Sequence, residues 1–272
     1  MDLRGGRVRT QAHGIQVRLL GGFEMIADGN SVPVGISGQR LIGLLSLNDR
    51  PMSRLRCAAI MWPDVVTARA GANLRSVVWR LQRSCPGVVY ASQNTVRLGI
   101  NVVIDARRWS ETAYRLIDKS RPMDQDELNQ ARDITLHAEL LPELGDEEWL
   151  VSERARYRQV GLHALEALSE RLLDGGWFGA AVDVGLAAVK VDPLRESGHR
   201  VLVSAYLAEG NVCEAYRQYH SYRDLLRAEL GVEPSSQFED LLQHVPKIRR
   251  SQLHRLQMVS GRFGERAAVS GR

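Results

Sequence analysis

The amino-acid sequence predicts a mixed fold, in which an α+β N-terminal domain is followed by an all-α domain. Three observations support this prediction. Segments rich in β-branched residues and broken by turn residues lie in the first third of the chain, beginning with IQVRLLGGFEMIADGNSVPV at residue 15. Beyond residue 105 the apolar residues recur at helical spacing. Two stretches of that second part also resemble each other at an interval of 34 residues.

The chain opens with short strands and a first helix. Gly21-Gly22 interrupts the strand-like run, and Asp28-Gly29 is a dipeptide typical of a tight hairpin turn. Ser37 is the predicted N-cap of a helix that extends through Leu47, because serine at this position can accept a hydrogen bond from the first free N–H groups.

Two further helices and a hairpin complete the N-terminal domain. Ser53 is the predicted cap of a short helix to about Met61, and Pro63 disfavours helix in the residue before it. A third helix is predicted over residues 70–84. The runs VVYAS and TVRLG then flank Gln93-Asn94 as a short hairpin. This order predicts a winged helix-turn-helix.

The third helix has two contrasting faces. One carries an apolar stripe typical of a core-facing helix: Leu74, Val77, Val78 and Leu81. The opposite face carries arginines around an aromatic ring: Arg75, Ser76, Trp79, Arg80 and Arg83. A helix buries large aromatic side chains when it can, so an outward tryptophan among cations indicates a partner, either another domain or a polyanion.

Charge is segregated along the chain. Residues 15–104 contain ten arginines, no lysine and four acidic residues, whereas residues 105–245 contain sixteen basic and twenty-six acidic residues. Residues 1–14 and 246–272 are predicted to be basic tails, the first flexible and the second disordered. A basic N-terminal third joined to an acidic body predicts that the N-terminal domain alone meets a polyanion.

The second part is predicted to be tetratricopeptide-like. Leu173, Gly176 and Ala181 recur 34 residues later as leucine, glycine and alanine, in the contexts LLDGGWFGAA and YLAEGNVCEA. A period of 34 residues with a small residue in the turn is typical of stacked helix–turn–helix units. Two clear units are fewer than such a stack needs, so the preceding helices are expected to complete it.

Composition also bears on compartment and on catalysis. The three widely spaced cysteines fit free thiols in a reducing cytoplasm, and the N-terminus lacks the apolar segment of a signal peptide. No run of apolar residues is long enough to span a membrane. The sequence contains no phosphate-binding loop, no HExxH and no paired CxxC, which predicts a non-enzyme without metal or cofactor.

The residues resemble one known family. MWPDVVTARAGANLRSVVWRLQR, VVYASQNTVRLG and VVIDARRW resemble the OmpR-like DNA-binding domain of the Streptomyces antibiotic regulatory proteins. ELLPELGDEEWLVSERARYR, the 34-residue repeat and AELGVEPSSQFEDLL resemble the bacterial transcriptional activation domain that follows it in that family. The resemblance covers about residues 15 to 245, with domains over 15–104 and 105–245.

The resemblance implies a transcriptional activator of a biosynthetic, antibiotic-type gene cluster. Such a protein binds direct repeats of double-stranded DNA side by side and engages RNA polymerase, including its primary sigma factor. Larger members carry an appended ATPase module, and none follows here, so the short form is implied. A repressor or DNA-architectural protein with the same wing, and a tetratricopeptide-type interaction scaffold, remain as alternatives.

The candidate site residues form three groups. Arginine can bridge guanine O6 and N7, so the recognition helix and the wing are expected to bind DNA through Asn73, Arg75, Ser76, Trp79, Arg80, Arg83, Gln93, Asn94 and Arg97. For Trp79 a second interpretation remains equally open, in which its ring packs on the helical domain and does not touch DNA. Trp62, Val65 and Val66 form the hypothetical polymerase contact in the loop before that helix. Alternatively, Trp62 belongs to the core beneath the loop, and Val65 and Val66 are loop residues with no functional role.

Overall fold

The computed structural model describes residues 14–48, 50–135 and 139–243, with only the backbone described at 134 and 135. The predicted tails, apart from Gly14, lie outside the described residues. The chain divides into two compact units. Unit 1 takes its described residues from 14–111 and 139–159, and unit 2 takes its own from 112–135 and 160–243.

Unit 1 contains two small sheets. Its strands are β1 (Ile15–Arg18), β2 (Glu24–Ala27), β3 (Asn30–Ser31), β4 (Met52–Ser53), β5 (Val89–Ala91), β6 (Thr95–Leu98) and β7 (Val102–Ile104). Among the described residues one sheet has the order β3-β2-β1-β7, with β1 parallel to β7, and the other has the order β4-β6-β5. Asp28 and Gly29 both have left-handed backbone conformations between β2 and β3, which confirms the predicted tight turn.

The helices of the N-terminal part are α1 (Ile36–Ser46), α2 (Arg54–Met61) and α3 (Thr67–Ser84). Ser53 caps α2 as predicted, because its hydroxyl accepts a hydrogen bond from the Arg56 amide at 3.2 Å. The prediction that Ser37 caps the first helix is wrong. The N-cap is Gly35, which has no side chain to accept a bond, and α1 already begins at Ile36.

Helices α2 and α3 with the antiparallel β5–β6 hairpin form the predicted winged helix-turn-helix. α3 begins three residues before its predicted start, at Thr67. The apolar stripe of α3 is buried, as predicted: Leu74, Val77, Val78 and Leu81. The inner face of the hairpin is buried too, at Val89, Val96 and Leu98. The wing and α3 therefore belong to one core.

The compact units do not follow the predicted boundary between residues 104 and 105. The Leu141 amide donates to the Leu19 carbonyl, and the Gly21 amide donates to the Glu139 carbonyl, both at 2.7 Å. The Asp105 carboxylate accepts from the amides of Leu19 and Leu20 at 2.8 and 3.1 Å. Residues beyond 104 thus satisfy the backbone just after β1, so they belong to the same unit.

The burial of Asp105 has an electrostatic consequence. Removal from water raises the pKa of the Asp105 carboxyl above its ordinary value, and the amide donors at Leu19, Leu20 and Ala106 offset part of that rise. Those three donors are all backbone groups that a buried chain must pair. Asp105 is therefore a structural residue of unit 1.

The described residues beyond 104 are mainly helical: α4 (Asp105–Ile117), α5 (Gln125–Thr135), α6 (Glu148–Asp174), α7 (Phe178–Val191), α8 (Glu196–Glu209), α9 (Val212–Leu230) and α10 (Ser236–Gln243). The first turns of α4 and α6 belong to unit 1, where Trp109 stacks on Tyr157 with ring centroids 5.0 Å apart. The Tyr157 hydroxyl donates to the Ala106 carbonyl at 3.2 Å. This contact adds the starts of both helices to the core of unit 1.

The 34-residue repeat of unit 2 is visible as two equivalent helix–turn–helix corners. Gly176 and Gly210 both adopt left-handed backbone conformations, and each amide donates to the carbonyl three residues earlier. Ala181 and Ala215 are both fully buried at the start of the following helix. The predicted tetratricopeptide-like helical arrangement is therefore confirmed.

The described residues contain neither a metal centre nor a membrane helix. No three or more His, Cys, Asp or Glu side chains among them could hold a metal ion, and none of their helices is long and apolar enough to cross a bilayer. Cys57 and Cys85 are buried free thiols, whereas Cys213 is exposed. Burial raises the pKa of the Cys57 thiol to about 12, although the charge of Arg54 opposes that rise.

Candidate nucleic-acid interface

The exposed face of α3 is entirely without acidic residues. The helix carries four arginines, at positions 69, 75, 80 and 83, and all four are exposed. Its apolar stripe is directed into the core, so the arginines are confined to the opposite side. The exposed surface of α3 is therefore lined with cations, on a helix whose opposite face is buried in the core.

Trp79 lies at the centre of this face and is 58% exposed. The predicted outward position of its ring is thus confirmed. The Arg83 guanidinium lies over the indole, 5.3 Å from the ring centroid, in a cation–π arrangement. Arg75, Ser76, Trp79 and Arg80 line a shallow recess of about 400 Å³ on the same face. An aromatic wall with cations around it suits a flat, electron-rich edge such as a base.

Two of the smaller predicted site residues of α3 are less free than the arginines. The Ser76 hydroxyl donates to the Ala72 carbonyl of its own helix at 3.1 Å, so it must give up that bond to donate to a phosphate. Asn73 is half-buried, nearly two turns after the start of α3. The structure places both beside the arginines.

The wing presents a narrow tip. Gln93 and Asn94 are exposed there, and the Ser92 hydroxyl accepts from the amides of Asn94 and Thr95 at 3.3 and 3.0 Å. These bonds give the turn a defined shape. The tip is therefore a small polar surface with free side-chain amides.

Arg97 does not lie at the tip. It pairs across the hairpin with Tyr90, and its guanidinium lies 5.1 Å from the Tyr90 ring centroid. It also donates to the Leu98 carbonyl at 3.2 Å. Because Val96 and Leu98 face the core, Arg97 is on the outer face of the wing, held by an aromatic ring.

The loop between α2 and α3 borders a separate cleft of about 940 Å³ in unit 1. Trp62 and Val65 are half-buried and line this cleft, while Val66 is 79% exposed. Arg40 and Glu147 also line the cleft, and the Arg40 guanidinium donates to the Glu147 carboxylate at 2.7 Å. The structure thus brings Trp62 and Val65 together at the cleft. Val66 points outward, so it is not a core residue.

The interpretation of the sequence missed two basic residues of this region. Arg69 is exposed in the first turn of α3. The predicted helix began at residue 70, so it left Arg69 out; a helix that began three residues earlier would have included this arginine on the acid-free face. Arg54 begins α2 and bonds the wing turn, with its guanidinium donating to the Ser92 carbonyl at 3.1 Å. No local sequence pattern predicts this contact, because Ser92 lies 38 residues from Arg54 along the chain.

Comparison with known proteins identifies the helical part. Residues 105–245, just over half of the chain, match the family described as bacterial transcriptional activator domain. The chain belongs to this family. The match also confirms the resemblance to the Streptomyces antibiotic regulatory proteins, and the bacterial transcriptional activator domain family is one of transcriptional regulators rather than enzymes.

Two individual proteins are similar to this chain. Regulatory protein AfsR of Streptomyces coelicolor is 29% identical over 240 residues, which cover 84% of this chain and 24% of the relative. The chain therefore spans about a quarter of the length of the curated relative that it matches. The solved structure of Mycobacterium tuberculosis EmbR, in complex with a low-affinity phosphopeptide, has a TM-score of 0.68 and 19% identity. It covers 92% of this chain and 71% of the EmbR chain, and it shows the same fold.

Proposed function

We propose that this regulator is a transcriptional activator that binds direct repeats of double-stranded DNA upstream of promoters. The observation that carries the proposal is the acid-free, arginine-lined face of α3 around the exposed ring of Trp79. The major groove of DNA admits one helix, and arginine is the side chain best suited to bidentate bonds with guanine. The sequence-specific contacts are assigned to this helix.

The contacts divide by the chemistry of each side chain. Arg75 and Arg80 flank the recess beside Trp79, so they are assigned to base edges, with the indole against a thymine methyl or a sugar. Arg83 and Asn73 are assigned to phosphates near the two ends of the contact. Ser76, beside the same recess, is assigned to the major groove or its phosphates. Gln93 and Asn94 at the wing tip, with Arg97 behind them, are assigned to the neighbouring backbone or minor groove.

Activation is assigned to the loop between α2 and α3. Val66 is an exposed apolar side chain in a connecting loop, where polar residues are usual, and Trp62 and Val65 lie beside it at the cleft. We infer that this loop contacts RNA polymerase, with its primary sigma factor, while two protomers lie side by side on the repeats. The inferred targets are genes of a biosynthetic, antibiotic-type cluster, and the inferred location of the protein is the cytoplasm.

Replacement of Arg80 by alanine should relax the choice of one base pair. Loss of a bidentate guanine contact costs about 1–3 kcal/mol of discrimination at that position and leaves the other positions unchanged. The measurement is a set of binding isotherms on the preferred site and on its single-base variants. Equal weakening on every sequence would show that Arg80 binds a phosphate and not a base.

Arg97 provides the contrasting variant. A phosphate contact adds affinity without sequence preference, so Arg97→Ala should weaken all sites alike and make the dependence of log K on log salt shallower by about one. An unchanged salt slope would leave the guanidinium with its structural contact to Tyr90 only.

One experiment tests the proposed function as a whole. Genomic fragments bound by the purified full-length protein are selected and searched for spaced direct repeats, and the recovered promoters are then transcribed in vitro with and without the protein. Activation from promoters with such repeats is the expected result. Binding with lowered transcription would support a repressor, and failure to select any sequence at moderate salt would support an interaction scaffold.

A further inference from the structure

Arg54 joins the wing to the helix-turn-helix at two points. Its backbone amide donates to the Asn94 carbonyl at 2.9 Å, and its guanidinium donates to the Ser92 carbonyl at 3.1 Å. These two acceptors lie on either side of Gln93, so a single residue holds the wing turn from both ends. The bonds also continue the pairing of β4 with β6, in which Ser53 lies opposite Thr95.

The position of Arg54 gives these bonds a wider effect. Arg54 is the first residue of α2, and α2 packs directly on α3. A shift of the wing tip relative to α3 would therefore have to break the contact at Arg54 or move the start of α2. Within the described residues, Arg54 forms no ion pair, so the carbonyl of Ser92 is the main partner of its guanidinium.

The side chain makes a contribution that other residues cannot supply. Any residue except proline provides the backbone amide bond to Asn94. The bond to Ser92 needs a long side chain with a directed donor, and the planar guanidinium loses little additional freedom when it forms such a bond. Ser92 itself is exposed, so without Arg54 its carbonyl would turn to water and the tip would gain freedom.

We propose that Arg54 is a positioning residue that fixes the wing tip at the distance from α3 that DNA requires. This inference rests on the proposed function, since it assumes that α3 and the wing bind one duplex together. A wing that is already in place loses less conformational entropy on binding, and affinity is higher for that reason. Arg54 thus acts through Gln93 and Asn94, and its own contact with DNA is not required.

A double-mutant cycle in full-length protein tests the proposal. Asn94→Ala is expected to weaken binding to the selected site about threefold to tenfold in the wild-type background, the loss of one wing contact. In the Arg54→Ala background, where the turn keeps the backbone bond to Asn94 but loses the guanidinium bond to Ser92, the same change should have a clearly smaller effect. Full additivity of the two losses, or an Asn94→Ala variant that binds as tightly as wild type, would overturn the proposal.

Two controls separate positioning from charge and from unfolding. Arg56→Ala removes an exposed arginine of the same helix that makes no bond to the wing, and it should leave the effect of Asn94→Ala intact. Arg54→Lys keeps the positive charge but not the planar guanidinium. If this variant binds DNA more tightly than Arg54→Ala, the effect of Asn94→Ala should increase in the same proportion. Thermal unfolding confirms that each variant is folded. Wild-type protein without sequence-specific binding would instead overturn the proposed function.

Discussion

Transcription from a target promoter should fall to near its unactivated level when Val65 and Val66 are both replaced by aspartate, although DNA binding persists. We expect the loss to be at least about tenfold, which corresponds to about 1.4 kcal/mol of contact free energy with polymerase. Neither valine lies on the exposed face of α3 or in the wing, so affinity for DNA should change by less than about threefold at physiological salt.

The structure also indicates that the double variant remains folded. Val66 is the N-cap of α3 and has no side-chain cap bond, whereas aspartate at an N-cap accepts a hydrogen bond from the first turn and stabilises it by about 1 kcal/mol. Val65 is only half-buried, at the edge of the cleft. The variant can therefore be compared with wild type as a native protein.

A matched variant, Val66→Ser, separates charge from apolar contact. Serine is also a good N-cap but is uncharged. Reduced transcription with both Val66→Ser and Val66→Asp would identify an apolar contact at Val66, and a loss confined to Val66→Asp would identify repulsion. Binding isotherms and in vitro transcription on the same promoter supply both readouts. Full transcription by the double aspartate variant would exclude the loop and assign activation to another surface.

Replacement of Gly99 by alanine should strongly destabilise the wing and the end of the first sheet. An added Cβ at this position would lie 2.0 Å from the Gly87 carbonyl oxygen, closer than any real contact, and 3.3 Å from Val102. The backbone cannot move aside easily, because the Gly99 amide donates to the Val88 carbonyl at 2.9 Å. We expect a loss of about 3 kcal/mol or more in the free energy of unfolding.

The measurement is thermal unfolding followed by circular dichroism, where a loss of this size lowers Tm by roughly 6–12 °C. Gly71→Ala is the control, because its added Cβ would meet only the end of the Arg75 side chain at 3.8 Å. Alanine also favours a helix interior over glycine by about 1 kcal/mol, so this variant should be as stable as wild type or more stable. Equal Tm values for Gly99→Ala and wild type would mean that the chain at 87 and 99 can separate.

Local patterns predicted most of the elements that form the candidate interface. The stripe of Leu74, Val77, Val78 and Leu81 is buried as the helical period indicates, and Trp79 is exposed on the other side. The turn at Asp28-Gly29 and the hairpin around Gln93-Asn94 also follow from residue types that prefer those conformations. Such features depend on neighbours within a few residues, which a sequence states directly.

Contacts between distant segments were not predictable in this way. Arg154 donates to three backbone carbonyls, those of Leu140, Leu141 and Gly145, and so holds the segment that pairs beside β1. Leu141 has a left-handed backbone conformation that is unusual for leucine, so residue preference argues against it. The boundary between the units follows from these bonds, whereas charge and composition change near residue 105.

The same limit applied within the interface. The sequence assigned Arg97 to the wing but could not show that it stacks on Tyr90, across the hairpin. It offered no sign that Arg54 reaches the wing turn. Both contacts join strands or helices whose register must be known first, because a shift of one residue would move each side chain to the opposite face.

The three native cysteines allow local opening of unit 1 to be measured from their rates of alkylation. A thiol reacts as the thiolate, and burial raises the pKa of the Cys57 thiol to about 12, so we expect Cys57 to resist alkylation while unit 1 is closed. Cys85 is buried in the same unit and its pKa is also raised, chiefly by burial. Cys213 lies exposed in unit 2 and serves as an internal standard of reagent reactivity. The ratio of these labelling rates measures how often the helix-turn-helix core opens, without any introduced probe.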